Sequence, residues 1–432
     1  VSPAAKVLLR RLVAVRDDEV EALLWSCAYS FAVLASFYVL RPLREEMGVA
    51  GGVKNLPWMF TGTLVATLAA SPLFSTLVSR YRRRRFIPYA YHFFTANLFV
   101  FFVLFRTLEG DARVVAARAF FVWTSVFNLF VVAVFWGYMA DLFRSEQGKR
   151  LFGFIAAGGT LGAIAGSGLT TGAVHLIGAT QLLLVAAALV QCAVLAFRSL
   201  DRLPLAAATG DTVMSRTGAW GGLTLVLGSA YLLMICLYML LFTTASTFTY
   251  LEQARLVAAA SASPEARTAI FARIDLLVNI LSLLLQGLVA GRIVRGIGVG
   301  PALVILPLVH LAGFAALVVW PVLNMCVTFQ ILRRGTDYGV AKPAREVLYT
   351  VLEREEKYKA KSFIDTFVYR GGDAVGAWVY QAVIAGGEPA MRVAMTMAPM
   401  IVGWIGVCLW LGGRQRRRAM ENEAAPLPAA AS

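Results

Sequence analysis

Metal chemistry has little to work with in this chain. Its 432 residues include only three histidines, His92, His175 and His310, scattered singly, so a metal site has no support. The five cysteines, Cys27, Cys192, Cys236, Cys326 and Cys408, form no CxxC pair, and all lie in apolar segments. They read as small buried hydrophobes rather than as a disulfide framework. There is no Gly-rich Walker-type loop, which argues against an ATP-driven pump. Nor are there paired histidines or an acidic motif in a membrane-facing loop, so a membrane-embedded enzyme is unsupported and no cofactor is called for. Charged residues make up only 15% of the chain.

Apolar residues take their place. They form 59% of the sequence, against roughly 45–50% in soluble proteins, and the mean hydropathy is +0.70. Long apolar segments lie near 23–40, 57–79, 87–105, 118–140, 151–172, 180–197, 220–250, 268–291, 299–320, 321–338, 362–385 and 390–411. A spanning helix needs roughly 20 such residues. The expectation is an all-α integral membrane protein of about twelve transmembrane helices. The split between the ninth and tenth rests on Pro321, and the eleventh carries charges.

The formal net charge is +15, and its distribution points to a membrane rather than to nucleic acid. Twelve helices place both termini on one side. The tails and the loops after even-numbered helices hold about three-quarters of the Lys and Arg, which puts that side in the cytoplasm. The run Arg80, Arg82, Arg83, Arg84, Arg85 then reads as a topology anchor. A polar stretch with Arg10, Arg11, Asp17, Asp18 and Glu19 precedes the first helix, and no signal peptide is visible in it. These features predict a multi-pass protein of the cell inner membrane with both termini cytoplasmic. Its partners would be the lipid bilayer and a small solute, with no nucleic acid; the oligomeric state is left open.

The chain also looks duplicated at an offset near 212. Ser75-Thr-Leu77-Val-Ser-Arg80 after helix 2 parallels Gly287-Leu-Val289-Ala-Gly-Arg292 after helix 8. Gly158-Gly159-Thr-Leu-Gly162-Ala163 in helix 5 parallels Gly371-Gly372-Asp-Ala-Val-Gly376-Ala377 in helix 11. Charged patches at Arg41/Arg44/Glu45 and Glu252/Arg255 follow helices 1 and 7. Two six-helix repeats that bind substrate between them fit a major facilitator-like architecture. The expected divisions are an N-terminal half at 1–197, a linker at 198–218, a C-terminal half at 219–411 and a basic, then disordered, tail at 412–432. The Gly-Arg ends after helices 2 and 8 look like a worn major facilitator signature.

Chemistry concentrates between Arg345 and Asp373. The segment begins charge-dense, as suits water. It then enters an apolar helix without losing its charges: Asp365, Arg370 and Asp373 lie inside the hydrophobic run. Ionisable groups in a membrane helix are costly and usually mark a pathway or a site. Arg370 falls about 12 Å into the helix if it starts near Ser362, and Asp373 is its i,i+3 neighbour. The pair is either an intrahelical neutralisation or a substrate or proton site. Gly371, Gly372 and Gly376 serve close packing or leave room for a ligand. At the end of helix 1, Arg41 and Arg44 share a face if Pro42 only kinks the turn, and two guanidiniums suit phosphate or carboxylate. The other reading is a helix end with snorkelling arginines. Asp141 and Arg144 between helices 4 and 5 are gating candidates or a solvated loop pair. Lys361 and Asp365 join them as gating candidates.

Three stretches resemble the ATP/ADP translocase family, the nucleotide transporters of plastids and obligate intracellular bacteria. Tyr38 to Glu45 looks like the family's helix-1 segment. Phe135-Trp136-Gly137 with Gln147-Gly-Lys149-Arg150-Leu-Phe152 resembles its FWG…EAKRFY stretch. Arg345-Glu346-Val-Leu-Tyr349-Thr-Val-Leu352 followed by Lys357-Tyr-Lys359-Ala-Lys361-Ser-Phe-Ile-Asp365 looks like its KEMAYIPL…KxKxKxxID segment. The resemblance implies a major-facilitator-like fold and, in the better-known members, exchange of ATP for ADP. Arg44 stands where the family has Lys, and Asp373 where it has Lys. Thr124 and Tyr250 stand near its acidic positions in helices 4 and 7. An anion at 373 opposes a polyphosphate. The expected function is secondary active transport of an anionic, nucleotide-like solute by alternating access, with Arg41, Arg44, Arg370 and Asp373 at the substrate. The alternative is a non-transporting sensor or assembly factor on the same fold.

Overall fold

The computed structural model describes residues 15–16, 19–205, 221–287, 292, 296–386 and 389–424. Among these, twelve long helices follow one another. The first six are α1 (Val20–Ala50), α2 (Leu56–Arg80), α3 (Arg83–Thr107), α4 (Gly110–Leu142), α5 (Ser145–Ile177) and α6 (Leu182–Asp201). Then come α7 (Gly221–Gly228 continuing as Ala230–Ala260), α8 (Pro264–Leu285) and α9 (Val299–Val319). Helix α10 is Leu323–Thr336, a π-helical turn Asp337–Ala341 and Lys342–Leu348; α11 is Arg354–Phe363, a π-helical turn Ile364–Val368 and Tyr369–Ile384. Helix α12 is Pro389–Ala424.

Local chemistry sets several ends. Pro264 opens α8, where its missing N–H costs nothing. Gly178, at φ +85°, ends α5, a conformation that side chains with a Cβ resist. Pro321 separates α9 from α10, as expected.

Among the described residues, ten helices are long and apolar enough to cross a membrane. The other two of the twelve are α10 and α11, which carry charge and contain the π-helical turns. Such turns recur at functional sites.

The C-terminal ends of α1, α7 and α10 run past the hydropathy pattern for one reason. Helix α1 runs through Pro42 to Ala50, and α7 runs to Ala260. Arg41, Arg44 and Glu45 therefore lie on a helix, as do Glu252 and Arg255. Helix α10 extends ten residues beyond the expected 338, and Arg345 on it is only 7% exposed. That corrects the reading of this segment as water-facing. Charge ends an apolar run in sequence, but it does not end a helix when the folded protein supplies counter-charges.

The chain forms two compact units. One gathers the described residues of 1–55, 65–216 and 257–279; the other gathers those of 56–64, 217–256 and 280–432. Within the first, α5 lies tightly on α1: a Cβ at Gly162 would collide with the Phe31 carbonyl, and one at Gly166 with that of Ala35. Within the second, α11 meets α7 in the same manner: a Cβ at Gly372 would collide with Thr243, and one at Gly376 would lie 3.0 Å from the Thr244 Cα. The duplicated glycine motif thus performs one packing task in each repeat.

The first unit also holds most of α8, and the second holds the start of α2. There Trp58 meets Trp378 edge-on at 4.9 Å, and Trp378 Nε1 donates to Thr61 Oγ1 at 3.1 Å. In the first unit an aromatic core surrounds Tyr29, whose hydroxyl donates to Tyr91 at 2.8 Å; Tyr91 in turn donates to the Val131 carbonyl at 3.2 Å.

Residues 288–291 of the repeated Gly-Arg motif lie outside the described residues, as do 206–218 of the expected linker and 425–432 of the tail. The basic run Arg414 to Arg418 continues α12 as helix.

Candidate functional site

The second unit concentrates buried charge on α10. Arg333, Arg334, Asp337 and Arg345 are each 7% exposed. The π-helical turn begins at Asp337, three residues after Arg334 and eight residues before Arg345. Arg333 Nε donates to Gln330 Oε1 at 2.9 Å, and its Nη1 donates to Ser246 Oγ of α7 at 2.8 Å. Gln330 in turn donates to Gln253 of α7. Arg345 lies over the Phe242 ring at 5.7 Å, within electrostatic reach of Asp337 and Asp365. Its Nη1 is buried and finds no hydrogen-bond acceptor among the described residues.

Helix α11 adds the expected pair. Arg370 Nη1 lies 3.6 Å from Asp373 Oδ2, and Thr247 Oγ1 donates to Asp373 Oδ1 at 3.4 Å. Asp373 is buried and Arg370 half-buried. A Cβ at Gly371 would meet open space, unlike one at Gly372 or Gly376. Of the three glycines, two pack helices and one leaves room beside Arg370. Glu252 of α7 is buried, accepting from Arg255 Nη2 at 2.7 Å and from the Tyr380 hydroxyl at 2.8 Å. Helix 7 therefore does carry an acidic side chain, two residues beyond Tyr250. Lys361 Nζ pairs with Glu346 Oε2 at 2.6 Å, tying the start of α11 to α10. Asp365 sits exposed in the π-helical turn of α11.

The first unit holds the other predicted residues. Pro42 lies inside the continuous α1, and the arginines on either side of it are engaged. Arg44 Nη1 pairs with Glu45 at 3.0 Å, its Nε donates to Ser125 Oγ at 3.1 Å, and its guanidinium stacks 3.7 Å from the Phe121 ring centroid. Arg41 Nε lies 3.6 Å from Asp275 of α8. Beside them Arg267 of α8 holds the buried Glu46 of α1 at 2.6 Å. Two ion pairs thus join α1 to α8. Asp141 and Arg144 form no ion pair with each other. Arg144 is exposed at the start of α5, where its backbone N–H donates to Gln147 Oε1 at 3.0 Å.

Arg333, Arg334 and Asp337 escaped the sequence pattern because they directly precede what reads as a polar loop. The available signal was two adjacent arginines fewer than twenty residues after the start of a helix at Pro321. That is too short for a span unless the charges lie within it.

Twelve helices in two six-helix repeats, matched by glycine packing in each, define an integral membrane protein of the major facilitator fold. No family model and no curated protein matches the chain, but solved structures match nearly all of it. An auto-inhibited POT family peptide transporter aligns with a TM-score of 0.60 at 12% identity, covering 95% of this chain and 98% of that one. A bacterial homolog of the human lysosomal transporter Spinster, inward-facing and unoccupied, gives 0.57 at 12%, covering 93% and 99%. The nucleoside transporter NupG gives 0.53 at 13%, covering 95% and 99%. At such identities the likeness establishes the fold.

Proposed function

We propose that the protein is a secondary active transporter of a small anionic solute, working by alternating access. The observation that carries this is the charge on α10 and α11. The buried Arg333, Arg334 and Arg345 and the half-buried Arg370 stand against the carboxylates of Asp337, Asp365 and Asp373, and one buried Arg345 donor lacks an acceptor. Buried guanidiniums in such excess are expensive unless an anion visits them. A phosphate or carboxylate accepts two N–H bonds from one guanidinium, which fixes its orientation as well as its charge. Arg370 is released from Asp373 when solute binds, and Asp373 re-pairs with it when solute leaves. Arg41 and Arg44 are already held by carboxylates, so they act in the hinge between α1 and α8 before they act on solute. Lys361 and Asp365 gate the start of α11. The protein sits in the cell inner membrane with both termini cytoplasmic. Nucleotides are the first solutes to test, because the resemblance to nucleotide transporters is densest at 345–365.

The test is uptake by proteoliposomes of labelled nucleotides, small organic phosphates and dicarboxylates, with and without a pH gradient. One class is taken up above protein-free vesicles. Arg370→Ala reduces that uptake at least about tenfold, as expected when one partner of a buried charge pair is removed. No uptake of any class sinks the transporter reading. Unchanged uptake by Arg370→Ala removes the site assignment alone.

A further inference from the structure

A second basic site lies wholly within the first unit, between the start of α3 and the end of α6. It is a cavity of about 330 Å³. Arg84 and Arg85 of α3 line it with Arg198 of α6 and Arg202 just beyond, and Asp201 is the one carboxylate in the lining. Asp201 pairs through one oxygen: its Oδ2 lies 3.0 Å from Arg84 Nε. Arg85, Arg198 and Arg202 are exposed and have no ion-pair partner among the described residues. The cavity is several times the roughly 30 Å³ that one water occupies, which is room for a phosphate and its ester.

Two further observations point to an anion. Helix α3 starts at Arg83 with no side-chain cap. Its first turn carries Arg83, Arg84 and Arg85 at the positive end of the helix dipole, the unfavourable sign for that end. A bound anion reverses that cost. The neighbouring surface is also apolar: Tyr89 and Phe93 on α3 and Leu195 on α6 are 71%, 61% and 61% exposed. Aromatic residues beside arginines are the composition of a membrane–water interface, and basic pockets between helices at that depth suit anionic headgroups.

We infer that this cavity binds a phosphate group, carried by the headgroup of an anionic phospholipid or by a small soluble phosphate ester. The test is thermal unfolding of the purified full chain in neutral detergent. The additives are phosphatidylglycerol, phosphatidylcholine, inorganic phosphate and glycerol phosphate, each titrated separately. Phosphatidylglycerol raises the apparent melting temperature more than phosphatidylcholine does. Arg198→Gln with Arg202→Gln raises its half-saturating concentration at least fivefold and leaves the Arg84–Asp201 pair in place. An equal response to soluble phosphates assigns the site to a free ester, and no response to them assigns it to lipid. Arg85→Gln, also exposed, supplies the same comparison if the double variant does not fold. The inference is overturned if no net-anionic phosphate additive stabilises the wild type beyond zwitterionic phosphatidylcholine, or if the folded variants respond as the wild type does.

Discussion

Glu19 shows how a single carboxylate can organise two helix ends. It lies just before α1, and Arg150 at the start of α5 reaches it at 2.9 Å; Gln147 Nε2 donates to it at the same distance, and the Arg16 backbone N–H at 3.0 Å. Burial pushes its carboxyl up, but the hydrogen bonds from Arg150, Arg16 and Gln147 outweigh burial and hold it below its ordinary value of 4.5. A lowered folded pKa means that the unfolded chain binds the proton more readily. The stabilisation is therefore complete above the unfolded pKa and is lost as pH falls through the folded value. Glu19→Gln is expected to lower stability by about 1–2 kcal/mol at pH 7. That deficit shrinks as pH falls through the lowered folded value, where the wild type takes up the proton as well. Melting temperatures of the two proteins across pH 3–8 check this, and a deficit that does not shrink as the pH is lowered rejects it.

Helices pack in this protein through glycines whose place recurs in both repeats. Gly162 lets the Phe31 carbonyl of α1 approach α5, and a Cβ there collides with backbone, which cannot swing aside. Gly162→Leu is expected to cost at least about 1–3 kcal/mol through overpacking. Gly172, on the same helix with open space around it, accepts Ala and gains about 0.5–1 kcal/mol from helix propensity. Detergent melting curves of both variants distinguish close packing from a general sensitivity of α5. The glycine spacing was legible in the sequence as a repeat, and so was its packing role. Which carbonyl it admits was not, because that depends on how α1 and α5 cross. The π-helical turns of α10 and α11 were likewise invisible, since one extra residue in a turn leaves no compositional trace. Their effect is to reorient the charged side chains on either side of them.

At the scale of the whole molecule, the basic residues predict one orientation. Impermeant maleimide applied to intact cells is expected to label Lys54→Cys, exposed in the turn after α1, in a background lacking the native cysteines. Arg416→Cys on the exposed end of α12 is labelled only after permeabilisation. The reverse pattern overturns cytoplasmic termini. With Arg333, Arg334 and Arg345 on a buried helix, the excess of Lys and Arg on that side remains, so the expectation rests on the other basic residues. The sequence by itself determined the number of helices, their duplication and the charged character of helix 11, because hydropathy and small-residue spacing are one-dimensional properties of the chain. Only the tertiary structure decided which charges belong to helices and which partners they meet. It buried Arg345, carried α1 past Pro42, and set Glu46 against Arg267 more than two hundred residues away. The energy of a buried charge depends on what folds around it, and in this protein those partners lie on other helices.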